Sequence, residues 1–250
     1  MARTPGFGVD VGGSAIKGCL VDLRLGALDE ERVRIPTPQP ATPEAVATLV
    51  AAITHEFGWN GPMGVTLPCV VKQGVARTAA NVDQTWIGTD AAALFSKHCR
   101  VPVMVLNDAD AAGLAEMRFG AGRDRDGVVV LLTFGTGIGS AVFLDGELLP
   151  NTELGHLQVD GAEAEERAAA SVRDAEALSW ADWVPRVSRY LQVLENLLWP
   201  DLIIVGGGVS RKAGRWLPML QCRTPVVAAA LRNDAGIVGA AAAAAEGRVR

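Results

Sequence analysis

Twice in this chain, 123 positions apart, an apolar run stops at a short glycine turn and a second apolar run leaves it. The first copy runs through residues 7–11, the turn Gly12-Gly13-Ser14 and residues 16–23. The second runs through residues 128–134, the turn Gly135-Thr136-Gly137 and residues 140–144. The shift lays Asp10-Val-Gly12-Gly13 on Thr133-Phe-Gly135-Thr136. Apolar runs of strand length joined by glycines predict tight turns between strands. Their repetition predicts a duplicated architecture with a ligand between two similar halves.

Helix and strand periods alternate through the rest of the chain. Pro43 and Glu44 open a helix with Val46, Leu49, Val50, Ile53 and Phe57 on one face. Residues 64–68 read as a buried strand, Lys72-Gln73-Gly74 as a hairpin turn and residues 89–98 as a helix. A strand over 101–106 stops at Asn107-Asp108, where a helix to residue 119 begins at once. Residues 163–177 and 179–199 have helical periods, the second with Leu191, Leu194, Leu197 and Leu198 on its buried side. A third apolar strand, 202–205, stops at Gly206-Gly207-Gly208, and a helix over 236–245 follows. This alternation predicts an α/β fold with a largely parallel core.

Composition narrows the function classes. Hydrophobic residues make up 49% and charged residues 20%, the balance of a folded globular protein. A net charge of −5 argues against a nucleic-acid or membrane-surface partner. The apolar stretch 237–245 is far too short to span a bilayer. The polar first residues do not read as a secretory signal, so a cytoplasmic protein is expected. Cys19, Cys69, Cys99 and Cys222 are too scattered for a zinc site and read as reduced thiols.

Three glycine turns after three apolar strands point to phosphate binding, because glycine lets backbone N–H groups approach phosphate oxygens closely. Ser14 and Thr136 add hydroxyls beside two of the turns. None of the turns has the spacing of a P-loop or of a dinucleotide fingerprint. Asp10 stands just before the first turn. A carboxylate there either binds its own turn or holds Mg²⁺ through water. Lys17, in the next strand, can reach the same phosphates or simply face solvent. Asp108 ends a strand and starts a helix, so it either caps that helix or serves as a general base at the strand end. Glu153 and His156 flank a glycine, an arrangement suited to sugar hydroxyls. Glu165 and Glu166 follow on a helix, where a solvated face is the simpler expectation. His55 and His98 are given no role.

These residues resemble the motifs of the ROK sugar kinases, within the actin–hexokinase (ribonuclease H-like) superfamily. The chain is most similar to the actinobacterial branch that uses polyphosphate. The segments are Asp10-Val-Gly-Gly-Ser-Ala-Ile-Lys17, Asn107-Asp-Ala-Asp-Ala-Ala-Gly-Leu-Ala-Glu116, Leu132-Thr-Phe-Gly-Thr-Gly-Ile-Gly-Ser140, Glu153-Leu-Gly-His156 and Gly206-Gly-Gly-Val-Ser210. The resemblance implies two domains around a cleft. The small one spans 1–107, completed by 237–250; the large one spans 108–236. It implies that Asn81, Asn107, Asp108, Glu153, His156 and Glu165 line glucose, with Asp108 as the base. Asp10, Gly12, Gly13, Ser14, Lys17, Thr133, Gly135, Thr136, Gly137, Gly207 and Gly208 would then face the phosphoryl donor with Mg²⁺. A homodimer is expected, without the DNA-binding domain of the family's repressors.

Two departures from the family pattern matter. Where many members carry a CxCGxxGC zinc motif, this chain reads Gln158-Val-Asp-Gly-Ala-Glu-Ala-Glu-Glu-Arg167, so no zinc site is expected. Cys69 follows Pro68 where glycine is usual, which would alter the loop on the sugar side. The implied reaction is phosphorylation of the glucose 6-hydroxyl by polyphosphate, ATP or both. Lys17, Arg123, Arg125, Arg211, Lys212 and Arg215 are candidates for a track holding an anionic polymer. The alternatives are an ATP-dependent kinase of mannose or N-acetylmannosamine, and a sugar sensor without turnover.

Overall fold

The computed structural model describes residues 4–80 and 82–247. Its contacts divide the chain into two units. One is made by the residues up to 115 together with those from 234 on, and the other by Glu116–Asn233.

In the first unit, β1 (Pro5–Val11), β2 (Ala15–Asp22) and β3 (Ala27–Leu28) form an antiparallel meander, with β4 (Val33–Pro36) also on β2. Helix α1 (Pro43–Glu56) leads to β5 (Met63–Leu67), which pairs parallel with β1. The hairpin of β6 (Val71–Lys72) and β7 (Val75–Ala76) turns at Gln73 and Gly74, both at positive φ. Helix α2 (Ala91–Cys99) precedes β8 (Val103–Asn107), parallel to β5. The sheet order is β3-β2-β1-β5-β8.

Strand period 2 explains how helices cover both faces of this sheet. Phe7, Val9, Val11, Met63, Val65, Leu67, Val103 and Val105 point one way, into a core with Val46, Val50 and Ile53 of α1 and Phe95 of α2. The alternate residues point the other way, toward α3 (Asp108–Phe119) and α7 (Ala235–Glu246). There the chain is Gly8 in β1 and Gly64 in β5. A methyl group on Gly8 would lie 2.0 Å from the carbonyl oxygen of Ile237, and one on Gly64 would lie 1.9 Å from that of Ala240. The helix lies directly on the strands, which is why α7 is built of alanine and glycine. Gly239 in turn admits Ala111 of α3, with only 1.7 Å between a would-be methyl and the Ala111 oxygen. This contact holds the first two turns of α3 in the first unit. The division between the units accordingly falls inside that helix, rather than at the 107/108 boundary expected from the sequence.

The second unit repeats the plan. Its strands are β9 (Val128–Phe134), β10 (Ile138–Leu144), β11 (Glu147–Leu149), β14 (Leu202–Gly207) and β15 (Val226–Ala228), in the order β11-β10-β9-β14-β15. The meander comes first and the parallel pairs β9·β14 and β14·β15 follow, as in the first sheet. A small hairpin, β12 (Gln158–Val159) and β13 (Ala162–Glu163), leads into α4 (Ala164–Ala168), α5 (Ala170–Ala175) and α6 (Trp180–Leu198). Helix α6 is capped by Ser179, whose oxygen accepts the N–H of Asp182, and buries Trp183, Val184, Val187, Tyr190, Leu191 and Leu194. Each such buried apolar side chain contributes about 1.5–3 kcal/mol. Trp183 meets Phe134 and Trp216 edge-on at centroid distances of 5.8 and 5.2 Å.

Two helix expectations need correction. Leu197 is not on the buried side of α6 but 62% exposed. The buried stripe continues from Leu194 to Glu195, whose carboxylate accepts the N–H groups of Arg223 and Thr224. Nor is 163–177 one helix. Ala169 turns to extended backbone (φ −61°, ψ 154°), so that Ser171 can reach the turn at Gly135.

Candidate active site

In the first unit the carboxyl ends of the parallel strands carry the polar groups. Pairing sets Asp10 against Thr66 of β5, and Leu67 against Asn107 of β8. Strand ends of this kind are where α/β sheets place their ligands. Asp10 also pairs across the hairpin with Lys17. Its carboxylate accepts the Thr66 hydroxyl at 2.9 Å and meets the Lys17 ammonium at 3.0 Å, and neither oxygen binds the glycine turn. The turn is braced separately. The Thr37 hydroxyl donates to the Gly12 carbonyl, and the Thr37 N–H donates to that of Ser14.

At the start of α3 the two candidate polar residues divide the work. Asn107, 7% exposed, accepts the N–H groups of Ala109 and Asp110 at 2.8 and 3.2 Å and donates to the Cys69 carbonyl at 3.1 Å. It is therefore Asn107 that caps the helix and fastens it to the loop after β5. Asp108 stands next to it, half-buried, one oxygen 2.9 Å from the Ala109 N–H. Cys69 is buried in the core. Asn81 lies outside the described residues.

In the second unit the other two glycine turns come together, because β9 and β14 run parallel with Thr133 against Gly206 and Phe134 against Gly207. Gly207 has φ 78°, and a methyl there would lie 2.2 Å from the Phe134 oxygen, so only glycine fits. The Gly208 turn is closed by the Ser210 hydroxyl on the Gly207 carbonyl at 2.8 Å. Thr136 and Gly135 are held through their carbonyls by the hydroxyl and N–H of Ser171. Glu165 does not face solvent as a helix residue might: its Oε2 accepts the Ile138 N–H at 3.1 Å and fills the space over Gly137.

Glu165 also belongs to a second group. The hydroxyl of Ser140 binds the Thr152 carbonyl and the Leu154 N–H, which fixes the short turn carrying Glu153 and His156. Tyr190 of α6 donates to the Leu154 carbonyl at 3.2 Å. His156 Nδ1 lies 2.7 Å from Glu163 and 3.9 Å from Glu165, while its Nε2 lies 3.8 Å from Glu153. The hydrogen bond to Glu163 holds the imidazole above its ordinary pKa against partial burial, and the charges of Glu165, Glu163 and Glu153 add to the effect. Burial pushes the Glu153 carboxyl up; His156 opposes that shift and Glu165 adds to it.

Among the described residues, His156, Glu163 and Glu165 are the one group whose ligand atoms converge as a cation would require, all within 4.8 Å. The 2.7 Å contact is a hydrogen-bond distance, so a proton joins Nδ1 to Glu163. The cluster contains no thiol, and none of the four cysteines is in a disulfide. The sequence reading missed three residues here: Thr66, Thr37 and Glu163. Thr66 lies in an apolar run, and its partner Asp10 is set by strand register, which spacing does not show. Glu163 had one local signal, its position in the stretch that replaces the family's zinc motif.

The sequence model of the ROK family matches residues 6–173. The polyphosphate glucokinase of Mycobacterium tuberculosis (strain CDC 1551 / Oshkosh) is 59% identical over 239 residues, covering 95% of this chain and 90% of that protein. The chain also superposes on the inorganic polyphosphate/ATP-glucomannokinase of Arthrobacter sp. strain KM with a TM-score of 0.95. There the identity is 50%, covering 98% of this chain and 100% of that one. A ROK family glucokinase from Streptomyces griseus, solved with glucose and AMPPNP, matches with a TM-score of 0.82 at 25% identity, covering 97% and 100%.

Proposed function

This chain belongs to the ROK family, and from that premise we propose that it moves a phosphoryl group from inorganic polyphosphate or ATP to the 6-hydroxyl of glucose. Glucose and the two donors are those named for its relatives, a polyphosphate glucokinase at 59% identity and a polyphosphate/ATP-glucomannokinase at 50%. The observation that carries the chemistry is the division of labour at α3. The Asn107 amide oxygen already accepts the N–H groups of Ala109 and Asp110, so the Asp108 carboxylate, one oxygen of which shares the Ala109 N–H, is not needed to cap the helix.

In this reading Asp108 accepts the proton of the 6-hydroxyl as that oxygen bonds to the terminal phosphorus. The bond from phosphorus to the donor's bridging oxygen breaks, releasing ADP or a polyphosphate one unit shorter. Glu153, His156 and Glu165, with Asn81 and Asn107, hold the hexose. The turns at Gly12, Gly13, Ser14, Gly135, Thr136, Gly137, Gly207 and Gly208 face the donor and receive its charge, with Thr133 and Lys17 beside them; the N–H groups of Gly12 and Gly135 serve inside the turns, on the carbonyls of Ala15 and Gly137. Asp10 suits an outer-sphere role toward Mg²⁺: Thr66 and Lys17 fix its carboxylate, which keeps acceptor capacity for the ion's water. When bound, the ion neutralises charge on the donor phosphates. A homodimer working in a reducing cytoplasm completes the proposal; four cysteines outside any disulfide support the compartment, and light scattering tests the dimer.

The test is Asp108→Asn, which keeps size and hydrogen bonding but loses basicity. Turnover should fall about 10²-fold or more while glucose still binds. Near-normal turnover would remove Asp108 from the reaction.

A further inference from the structure

The reaction as drawn leaves one well-made contact unused, the 2.7 Å pairing of His156 Nδ1 with Glu163. Glu163 is held in place from several sides. It ends the β12–β13 hairpin, paired with Gln158. The tip of that hairpin is fixed to α6 and α4: Arg189 of α6 binds the Asp160 carboxylate twice, at 2.9 and 2.7 Å, and Arg167 of α4 donates to the Asp160 carbonyl at 3.1 Å. The Glu163 N–H is held by Glu166 at 3.3 Å. His156 is constrained as firmly, on a turn tied down by Ser140 and Tyr190. Its other nitrogen, Nε2, is 3.8 Å from Glu153, too far for a hydrogen bond and the right separation for one hydroxyl oxygen to serve both.

We propose that Glu163 is the positioning residue of the sugar clamp: it keeps a proton on His156 Nδ1 and so makes Nε2 the nitrogen offered to the hexose. A ring nitrogen's role is set by the hydrogen bond that the other nitrogen makes. An unrestrained imidazole can rotate, and it then loses the orientation a bound hydroxyl requires. With Nδ1 fixed, a hexose hydroxyl lies between Nε2 and the Glu153 carboxylate, where the surrounding carboxylates favour a second ring proton. In that state the hydroxyl accepts from Nε2–H and donates to Glu153. The inference rests on the hexose-kinase reading, but it makes a statement about the free protein that turnover does not enter.

The test combines ring ¹⁵N NMR of the unliganded protein with glucose kinetics, on wild type, Glu163→Ala, Glu163→Gln and Glu166→Ala. Wild type should show His156 with Nδ1 protonated at neutral pH. Glu163→Ala should lose that state and raise the glucose KM about ten-fold, the worth of one charge-assisted hydrogen bond, with kcat kept within about three-fold. Glu163→Gln, whose amide oxygen still accepts from Nδ1–H, should recover both the ring state and most of the KM. Glu166→Ala removes one long support of the Glu163 backbone but leaves the hairpin, its ties to Asp160 and the Glu163–His156 contact in place, so ring state and KM should change little. An unprotonated Nδ1 in wild type would overturn the proposal. So would a KM that rises equally in Glu163→Ala and Glu166→Ala with no change in the ring, since Glu163 would then act only through the helix start. If the protein phosphorylates no sugar, the hexose-kinase reading fails, yet the wild-type ring state still decides whether Glu163 orients His156.

Discussion

The two units share a strand order and spend their glycines differently. In the first unit two crowded glycines, Gly8 and Gly64, lie mid-strand under α7, where they let a helix backbone touch the sheet. The turn beside them is less crowded: a methyl on Gly12 would meet only the Ala15 oxygen, at 3.2 Å. In the second unit the turns themselves are crowded, Glu165 over Gly137 and the Phe134 oxygen against Gly207. The charges differ as well. An acid and a lysine stand at the first turn, whereas the second is braced from behind by a carboxylate. The two halves thus share a scaffold and differ in what surrounds their turns. The first turn lies beside a charged pair, Asp10 and Lys17, and the second is held through its carbonyls by Ser171 and packed under Glu165.

The comparison predicts a dissociation between stability and catalysis. Gly64→Ala drives a methyl into the Ala240 carbonyl, which neither element can avoid. It should cost about 3 kcal/mol or more and lower Tm by about 8 °C or more. Thermal unfolding checks this, and an unchanged Tm would mean that α7 is not seated as described. Gly137→Ala displaces the flexible end of Glu165 instead. It should lower kcat/KM about 30-fold, as expected when a donor set is misplaced, with a smaller loss of stability. Equal effects of the two substitutions on Tm would erase the contrast.

Thr66→Val probes the charged side of the comparison. It removes the hydroxyl that orients Asp10 and leaves the volume nearly unchanged, so kcat should fall about ten-fold, the worth of one hydrogen bond to a charged group. An unchanged kcat would detach Asp10 from the reaction. Charge removal at Arg211 and Lys212, which follow the third glycine turn, should raise the polyphosphate KM about three- to ten-fold and leave the ATP KM nearly unchanged, because a polymer extends past the glycine turn and a nucleotide does not. Equal shifts for both donors would take these residues off the polymer's path.

The smallest effect concerns Glu153, whose carboxyl burial has pushed upward. A carboxyl raised on folding adds stability in its protonated form, below its unfolded pKa, and loses it as pH rises through the folded value. At neutral pH the charge is therefore a burden. Glu153→Gln should raise the Tm of the unliganded protein slightly, about 1 °C given its partial exposure, with the gain vanishing in acid. A Tm that falls at neutral pH would contradict the direction.

Much of this was legible in the residues. The 123-residue echo corresponds to two sheets with the same strand order, and the glycine turns fall at strand ends as the apolar runs imply. The motifs at Asp10, Asn107, Thr133 and Glu153 lead to the family that the comparisons give. What spacing could not show depends on contacts distant in sequence. Asp10 meets Thr66 only once parallel register is set. The break at Ala169 follows from the pull of the Gly135 turn on Ser171, which overrides a good helical period. Glu195 enters the α6 stripe because backbone N–H groups at 223–224 wait for it there. Local pattern assigned elements well and failed where a tertiary partner decided.

The central claim is phosphoryl transfer to glucose, and its most direct test is the initial rate of glucose 6-phosphate formation by the wild-type protein with Mg²⁺, using ATP and long-chain polyphosphate in parallel. The account predicts turnover with both donors, and a polyphosphate KM that climbs more steeply with salt than the ATP KM. Turnover with ATP alone would remove the polymer from the account. No glucose 6-phosphate from either donor would contradict it outright.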